Sequence, residues 1–431
     1  MRKRIIIPLL LAVSLIFTSC SELITVTTDS SPRKNTNKSN HIKIDKSKLD
    51  DDITPSRWYE KAELSTGYNE LDNDDQRRLY NAIIEHSADF DSDEENEDGW
   101  EITTFTLEDC YISSEDVAKV FFAADLDNPF MFWLANPYSY SYYEGDFSLT
   151  LNSYMPYEDY IKARGQLNSV INSVIKGLKP DMTELERELY IHDYLVKNCI
   201  YKEKAKKGEF NRYTIYGALI DQTAVCEGYT KAFQLLLSYA GINSFNVNGS
   251  LENSDNVDHI WSAVELGGEW YYTDVTWDDT DDIDMYDYFN ITTKQLLHSH
   301  SIAPLFDDYI ASGNFDAQNM VNANLVIPDC KATKYNYYRF YGSRLKSMTE
   351  NKLADDLAKK AEAGESCFYI YVDPKLNFDI AYDQLFSDEL FLFKNYIQEA
   401  NSILGCDKLQ YSVSVGKRKW LRTIMVELNY N

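Results

Sequence analysis

Cys226, His259 and Asp274 are the residues of this 431-residue chain whose types and order could support nucleophilic chemistry at sulfur. A cysteine attacks as its thiolate, and a histidine steadied by a carboxylate is the pair that takes its proton or balances its charge. The stretch from Thr223 to Ala240 reads as a helix with the cysteine in its first turn. Phe233, Leu236, Leu237 and Ala240 recur at helical spacing, and Ala232 and Leu235 widen the stripe, so the helix should be buried on most sides. Thr223 as the cap and Gly241 as the left-handed residue past the end would make Cys226 the third helical residue. Backbone N–H groups without intrahelical partners and the positive end of the helix dipole favour thiolate there.

The histidine and the carboxylate need an element that brings them together. His259 lies in the run Val257 to Leu266 and Asp274 in the run Glu269 to Trp277, with Gly267-Gly268 between them. Two aromatic and β-branched runs separated by Gly-Gly read as a β-hairpin. A two-residue loop pairs Leu266 with Glu269 and sets Asp274 opposite Trp261, with His259 its diagonal neighbour on the same face. A four-residue loop would set His259 directly opposite Asp274, and a three-residue loop would send them to opposite faces.

Cys226-Glu-Gly-Tyr-x-Lys-Ala-Phe, Gly241-Ile, His259-x-Trp261 and Trp270-Tyr-x-x-Asp274-x-Thr-Trp277-Asp-Asp together resemble the core of the transglutaminase-like superfamily, in its secreted bacterial branch. Upstream, Ile191-His-Asp-Tyr-Leu195, Tyr201 and Tyr216-Gly-Ala-Leu219 match the approach to the cysteine. Downstream, Tyr288-Phe-Asn290 and His300 match the exit, so the likeness covers roughly residues 180 to 300. It implies an α+β fold with a papain-like core, a Cys226, His259, Asp274 catalytic triad and no cofactor.

In the chemistry so implied, Asp274 holds His259, which pairs with or deprotonates Cys226, and the sulfur attacks an amide carbonyl to give a thioester. The oxyanion needs donors: the Cys226 backbone N–H is one, and Gln222, by analogy with the glutamine of papain-like enzymes, is a candidate for the other. Tyr229 and Trp261 are candidates to line the site. The expected function is that of an extracellular, membrane-anchored thiol enzyme of transglutaminase or cysteine-protease type, acting on protein or peptide, cell-wall peptide included. The alternative is a non-catalytic surface adaptor that uses the papain-like core as a scaffold for binding modules.

The N-terminus fits an exported protein. Met1-Arg-Lys-Arg4 precedes an apolar run from Ile5 to Phe17 that is too short for an ordinary membrane span, and the ending Thr18-Ser-Cys20 resembles a bacterial lipoprotein box. Residues 1–19 are then a signal peptide, Cys20 the lipidated first residue, and the location the bacterial cell surface with the membrane as a partner. The formal charge of −27 becomes about −30 once Arg2, Lys3 and Arg4 are removed, which argues against nucleic acid as a partner. Residues 20–55, rich in Ser, Thr, Asn, Lys and Asp, read as a disordered tether.

Residues 56–178 read as an N-terminal α/β module, with a helix from Asp74 to His86, a capping box at Ser113 to Asp116 and a long helix from about Tyr157 to Leu178. The core is expected over 179–300. A second capping box at Thr183 to Glu186 opens a helix with Leu185, Leu189, His192 and Val196 on one stripe, and His192 reads as a hydrogen-bonded core residue. Lys202 to Lys207 is a charged loop. Asp278 to Asp284 lacks the glycine and distal glutamate of a calcium loop and reads as solvated, and neither His298 nor His300 has zinc-ligand spacing. Residues 301–431 read as a C-terminal α/β module with a helix from Glu350 to Ala363, a strand from Cys367 to Val372, a helix from Leu390 to Leu404 and a hairpin turning at Gly416-Lys417. With Cys20 lipidated and Cys226 free, five cysteines remain, which speaks against a full disulfide framework.

Overall fold

The computed structural model describes residues 53–431 except 55, 93, 97–98, 136–137, 203–209, 253–257, 281–284, 314–321, 350–351, 388–390 and 412. The signal peptide, Cys20, nearly all of the tether, most of the Lys202–Lys207 loop and the end of the Asp278–Asp284 run lie outside the described residues. No helix among the described residues is long and apolar enough to cross a membrane.

The chain divides into two compact units, one of residues up to 284 with 299–329, the other of 285–298 with 330–431. The chain therefore passes between units three times, where the sequence suggested one boundary after residue 300. Aromatic packing explains the first crossing: Tyr286 stacks on Tyr337 with ring centroids 3.7 Å apart, and Asp287 accepts from Tyr338 Oη at 2.7 Å and pairs with Arg418 at 2.7 Å. Residues 299–329 return to the first unit because His300–Ile302 pairs with the strand Ser244–Leu251, and Asn324 bonds the Asn248 backbone.

In the first unit, an antiparallel sheet runs in the order Glu95–Asn96, Gly99–Leu107, Asp146–Ser153, Ser139–Tyr143. Helices Asp74–His86 and Ser114–Asp127 pack with it, the second opened by the expected Ser113–Asp116 capping box. This module and the cysteine helix share one core. Lys231 Nζ reaches Asp125 at 2.8 Å, and the buried Gln234 amide donates to the Leu126 carbonyl at 2.8 Å.

The second antiparallel sheet has the order His300–Ile302, Ser244–Leu251, Asp258–Leu266, Glu269–Thr273. Helix Cys226–Tyr239 lies on it, with every residue from Gly228 to Tyr239 buried. Burying each of its large apolar side chains contributes about 1.5–3 kcal/mol. The helix ends as the sequence suggests: Gly241 has φ +71°, its N–H donates to Ser238 O and that of Ile242 to Leu237 O, each at 3.0 Å.

Its beginning differs from expectation. Cys226 is the first helical residue, the cap is Val225 in an extended conformation, and Thr223 caps nothing. Thr223–Ala224 is committed to a short parallel ladder with Ile200–Tyr201, in which Ile200 N–H donates to Gln222 O and Lys202 N–H to Ala224 O, both at 3.0 Å. The Val225 N–H is taken by Arg212 O at 3.1 Å. A long-range ladder has thus overridden a local capping preference.

Gly228 shows how closely the approach segment packs on the first helical turn. A Cβ there would lie 2.5 Å from Arg212 O and 2.8 Å from the Ala224 methyl. Gly228→Ala should therefore destabilise the protein by about 1–3 kcal/mol, as overpacking does; a urea midpoint equal to that of the wild type would show that this packing is slack.

In the second unit a sheet of order Ser343–Leu345, Cys367–Val372, Thr423–Glu427, Ser414–Arg418 carries helices Lys352–Ala363 and Phe393–Leu404. The hairpin turns at Lys419–Leu421 and not at Gly416-Lys417, which lie inside a strand opposite Met425 and Ile424. Arg422, at φ +54°, takes the left-handed position expected of a glycine, and its guanidinium donates to Val372, Asp373 and Leu376 carbonyls.

Candidate active site

The approach to Cys226 is a sequence of tight local structures. A π-helical turn at Gly217–Asp221, a type of turn frequent at functional sites, ends at Gln222 with φ +53°, and the two-residue ladder then delivers the chain to the helix start. Cys226 is partly exposed there. Its carbonyl accepts from Thr230 Oγ1 at 2.7 Å, and Thr230 also donates to Ile260 O at 3.2 Å, tying the first helical turn to the histidine strand.

On that strand the hairpin has the two-residue loop, with Leu266 paired to Glu269 and Ser262 to Thr273. Gly267 and Gly268 adopt φ of +59° and +77°, as such a turn demands. Asp274 follows the last strand residue and caps the short helix Val275–Asp278, its Oδ1 accepting from the Thr276 and Trp277 N–H groups at 3.1 and 3.2 Å. Its Oδ2 lies 2.7 Å from His259 Nε2. The carboxylate fixes the proton on Nε2, so Nδ1 is the ring nitrogen left for the hydrogen bond that His259 makes with Cys226.

His259 and Asp274 are both out of water. Burial opposes the charge on His259, but Asp274 and Cys226 outweigh it and push its pKa up to about 10. Burial would raise Asp274, yet His259 and His300 hold it well below the usual carboxylate range. The arrangement is an imidazolium–carboxylate pair with one nitrogen directed at a thiol, able to support a thiolate nucleophile and to return a proton to a leaving group.

His300, which the sequence places at the exit of the core without a role in the triad, is a neighbour of Asp274. Its Nε2 lies 3.1 Å from the same Asp274 Oδ2, and its Nδ1 lies 2.8 Å from Ser299 Oγ. Its ring packs 4.7 Å from Trp277 and 5.1 Å from Trp261. Among the described residues, His259, Asp274 and His300 are the set that could hold a metal ion, their ligand atoms lying within 4.8 Å of one another. Their mutual hydrogen bonds account for that approach.

The helix Glu184–Asn198 braces the hairpin through residues four apart. Glu184 Oε2 accepts from the Gly267 N–H at 2.7 Å, buried Glu188 accepts from Thr273 Oγ1 at 3.1 Å, and buried His192 lies 3.3 Å from Asp278 Oδ2. These three hold the turn, the strand end and the helix that follows Asp274. The apolar stripe is correspondingly shifted: Leu185, Ile191 and Leu195 are buried, whereas Leu189 and Val196 are only partly so. Asp278 and Asp279 are not a solvated run either, since Asp278 is fully buried and Asp279 accepts from Tyr229 Oη at 2.5 Å.

Of the remaining candidates, Gln222 lies apart from the site and Trp261 packs behind it. Gln222 is exposed, and its side chain helps line an open surface cavity with Lys162, Gln166 and Ser169 of helix Tyr157–Lys176, a cavity that neither Cys226 nor His259 lines. That placement gives no support to an oxyanion role. Tyr229 is buried and bonded to Asp279 and Cys199. Trp261 is buried behind His259, its ring centroid 6.0 Å away, in space kept open by Gly249, where a Cβ would come 2.5 Å from the indole. None of the six described cysteines is in a disulfide, and burial pushes the Cys199 thiol up to about 11.

A helix-start cysteine, a strand-borne histidine and an aspartate just past the next strand of an antiparallel sheet make the arrangement of a papain-like core. Residues 171–275 match the sequence profile of the transglutaminase-like superfamily, in agreement with that geometry. Two solved structures are similar. One is a TGase crystal structure, with 16% identity, a TM-score of 0.23, and 42% of this chain and 53% of that chain covered. The other is from Cytophaga hutchinsonii and is described as a cysteine protease, with 13% identity, a TM-score of 0.22, and 32% of this chain and 61% of that chain covered. The chain thus spans about half of the one and about three-fifths of the other. No curated protein matches the sequence.

Proposed function

We propose that this chain is a thiol enzyme acting on amide bonds of extracellular protein or peptide, held at a bacterial surface through a lipid on Cys20. The observation that carries the chemistry is the pairing of His259 with both Asp274 and Cys226 in a buried site. Cys226 sulfur attacks the amide carbonyl carbon, the C–N bond breaks, the amine leaves with a proton from His259, and a thioester remains. An amine acceptor then gives a new amide, and water gives a carboxylate. The Cys226 backbone N–H, at the helix start, is the donor proposed for the oxyanion; a donor of this kind is worth about 3–4 kcal/mol of barrier. The anchor reading rests on the short apolar run ending at Thr18-Ser-Cys20 and on the tether composition.

Brief alkylation with iodoacetamide followed by peptide mapping tests the thiol site, because exposed Cys406 in the same molecule serves as an internal reference. Cys226 should be modified faster than Cys406 at mildly acidic pH, and His259→Ala should remove that advantage. A Cys226 no faster than Cys406, with or without His259, would favour the adaptor. Where it is fast, a glutamine peptide with and without a labelled amine separates cross-linking from hydrolysis.

A further inference from the structure

We propose that His300 is a second positioning residue of the thiol site, donating its Nε2 proton to the Asp274 oxygen that also receives His259, and thereby keeping that carboxylate ionised and fixed in direction. This rests on the thiol-site reading above and adds to it a residue that touches neither the sulfur nor a substrate.

The argument is one of donor counting. Asp274 Oδ1 is engaged by two backbone N–H groups and Oδ2 by two imidazoles, so four donors converge on a carboxylate that is 1% exposed. A carboxylate so placed has no role as a donor, and each hydrogen bond to its charged form makes it a weaker base. Without His300, Oδ2 would have His259 as its sole side-chain donor and would be held less firmly in charge and direction. It would then support the His259 imidazolium, and through it a Cys226 thiolate, less well.

His300 is built for the part. It opens an edge strand and pairs with Leu251 of the strand whose Gly249 pairs with His259, which sets the two histidines two positions apart in register on the same face of the sheet. Its ring centroid lies 5.4 Å from that of His259. Two imidazolium rings that close would repel, so His300 serves as the neutral partner, with Nε2–H toward Asp274 and Nδ1 accepting from Ser299 Oγ. The chain of hydrogen bonds then runs from Ser299 through His300, Asp274 and His259 to Cys226.

The test compares His300→Gln, whose amide nitrogen can stand near the Nε2 position, with His300→Leu, which fills similar space and cannot donate. Cys226 alkylation is followed from pH 5 to 9 in both variants, in the wild type and in His259→Ala. The glutamine variant should stay within about threefold of the wild type. The leucine variant should lose about tenfold at pH 6, with the acid limb of its rate profile moved up by about one pH unit, the equivalence of one unit and tenfold. A leucine variant with the wild-type profile, beside a His259→Ala variant that has lost its rate, would overturn the role of His300 alone. A wild-type rate no higher than that of His259→Ala would overturn the thiol site and this role together. Should the leucine variant fail to fold, nitrogen-15 histidine spectra of the wild-type protein decide: His300 protonated at Nε2 supports the assignment, and His300 protonated at Nδ1 alone overturns it.

Discussion

Asp274→Asn should lower turnover at Cys226 by about 10⁴-fold while leaving the fold intact, the size of loss seen when a supporting carboxylate becomes an amide that holds the histidine in the wrong tautomer. The geometry leaves the asparagine no good choice. If its oxygen keeps the Thr276 and Trp277 N–H groups, its NH₂ faces His259 and His300, which must then accept at Nε2. His259 would carry its proton on Nδ1, toward the sulfur, and could not take another. If the amide flips to serve the histidines, its NH₂ meets two backbone donors and the cap of Val275–Asp278 is lost, at about 0.5–2 kcal/mol. Peptide turnover and Cys226 alkylation measure the first effect and circular dichroism the second. Activity within tenfold of the wild type would mean that the carboxylate does not set the tautomer of His259.

Local chemistry made much of this legible in the sequence. The Gly-Gly turn fixes a two-residue loop and with it the shared face of His259 and Asp274, and the capping boxes at Ser113 and Thr183 begin the helices they announce. Gly241 closes the cysteine helix because a left-handed residue is needed there. The failures have long-range causes. Thr223 loses its capping role to a ladder with residues 23 positions upstream, which no capping rule can see. His300 reaches Asp274 only through the pairing of an edge strand, and its spacing from either partner carries no periodic signal. Glu184, Glu188 and His192 do follow a spacing of four. Two acidic side chains on a helix ordinarily read as its solvated face, however, so the bracing of the hairpin was hidden.

The second large effect is on stability and appears on the alkaline side. His192 and His259 are both buried and both raised in pKa: burial opposes each charge, yet Asp193 and Asp278 push His192 up to about 9, and Asp274 with Cys226 push His259 up to about 10. A histidine in the unfolded chain titrates near 6.5. A raised pKa contributes stability that is fully present below about 6.5 and is lost as pH rises through the folded value. Between pH 7 and 9 the folded state therefore holds the His192 proton that the unfolded state has released, and a second at His259 unless that proton has come from Cys226, and stability should fall by about 1.4 kcal/mol per pH unit for each proton so held. Asp274, held below its ordinary value, makes its loss on the acid side. It belongs to the same ion pair as His259, so the two contributions are not summed. Cys199, raised to about 11, adds a further loss only near pH 9 and above, which sets the upper end of the window. Urea midpoints at pH 7 and 9 should thus differ by about 2 kcal/mol or more in unfolding free energy, with His192→Gln removing that part of the slope and His259→Gln any remainder. A wild-type midpoint unchanged between those pH values would mean that the folded state holds no proton beyond those of the unfolded chain, as when His192 is neutral and the proton on His259 has come from Cys226.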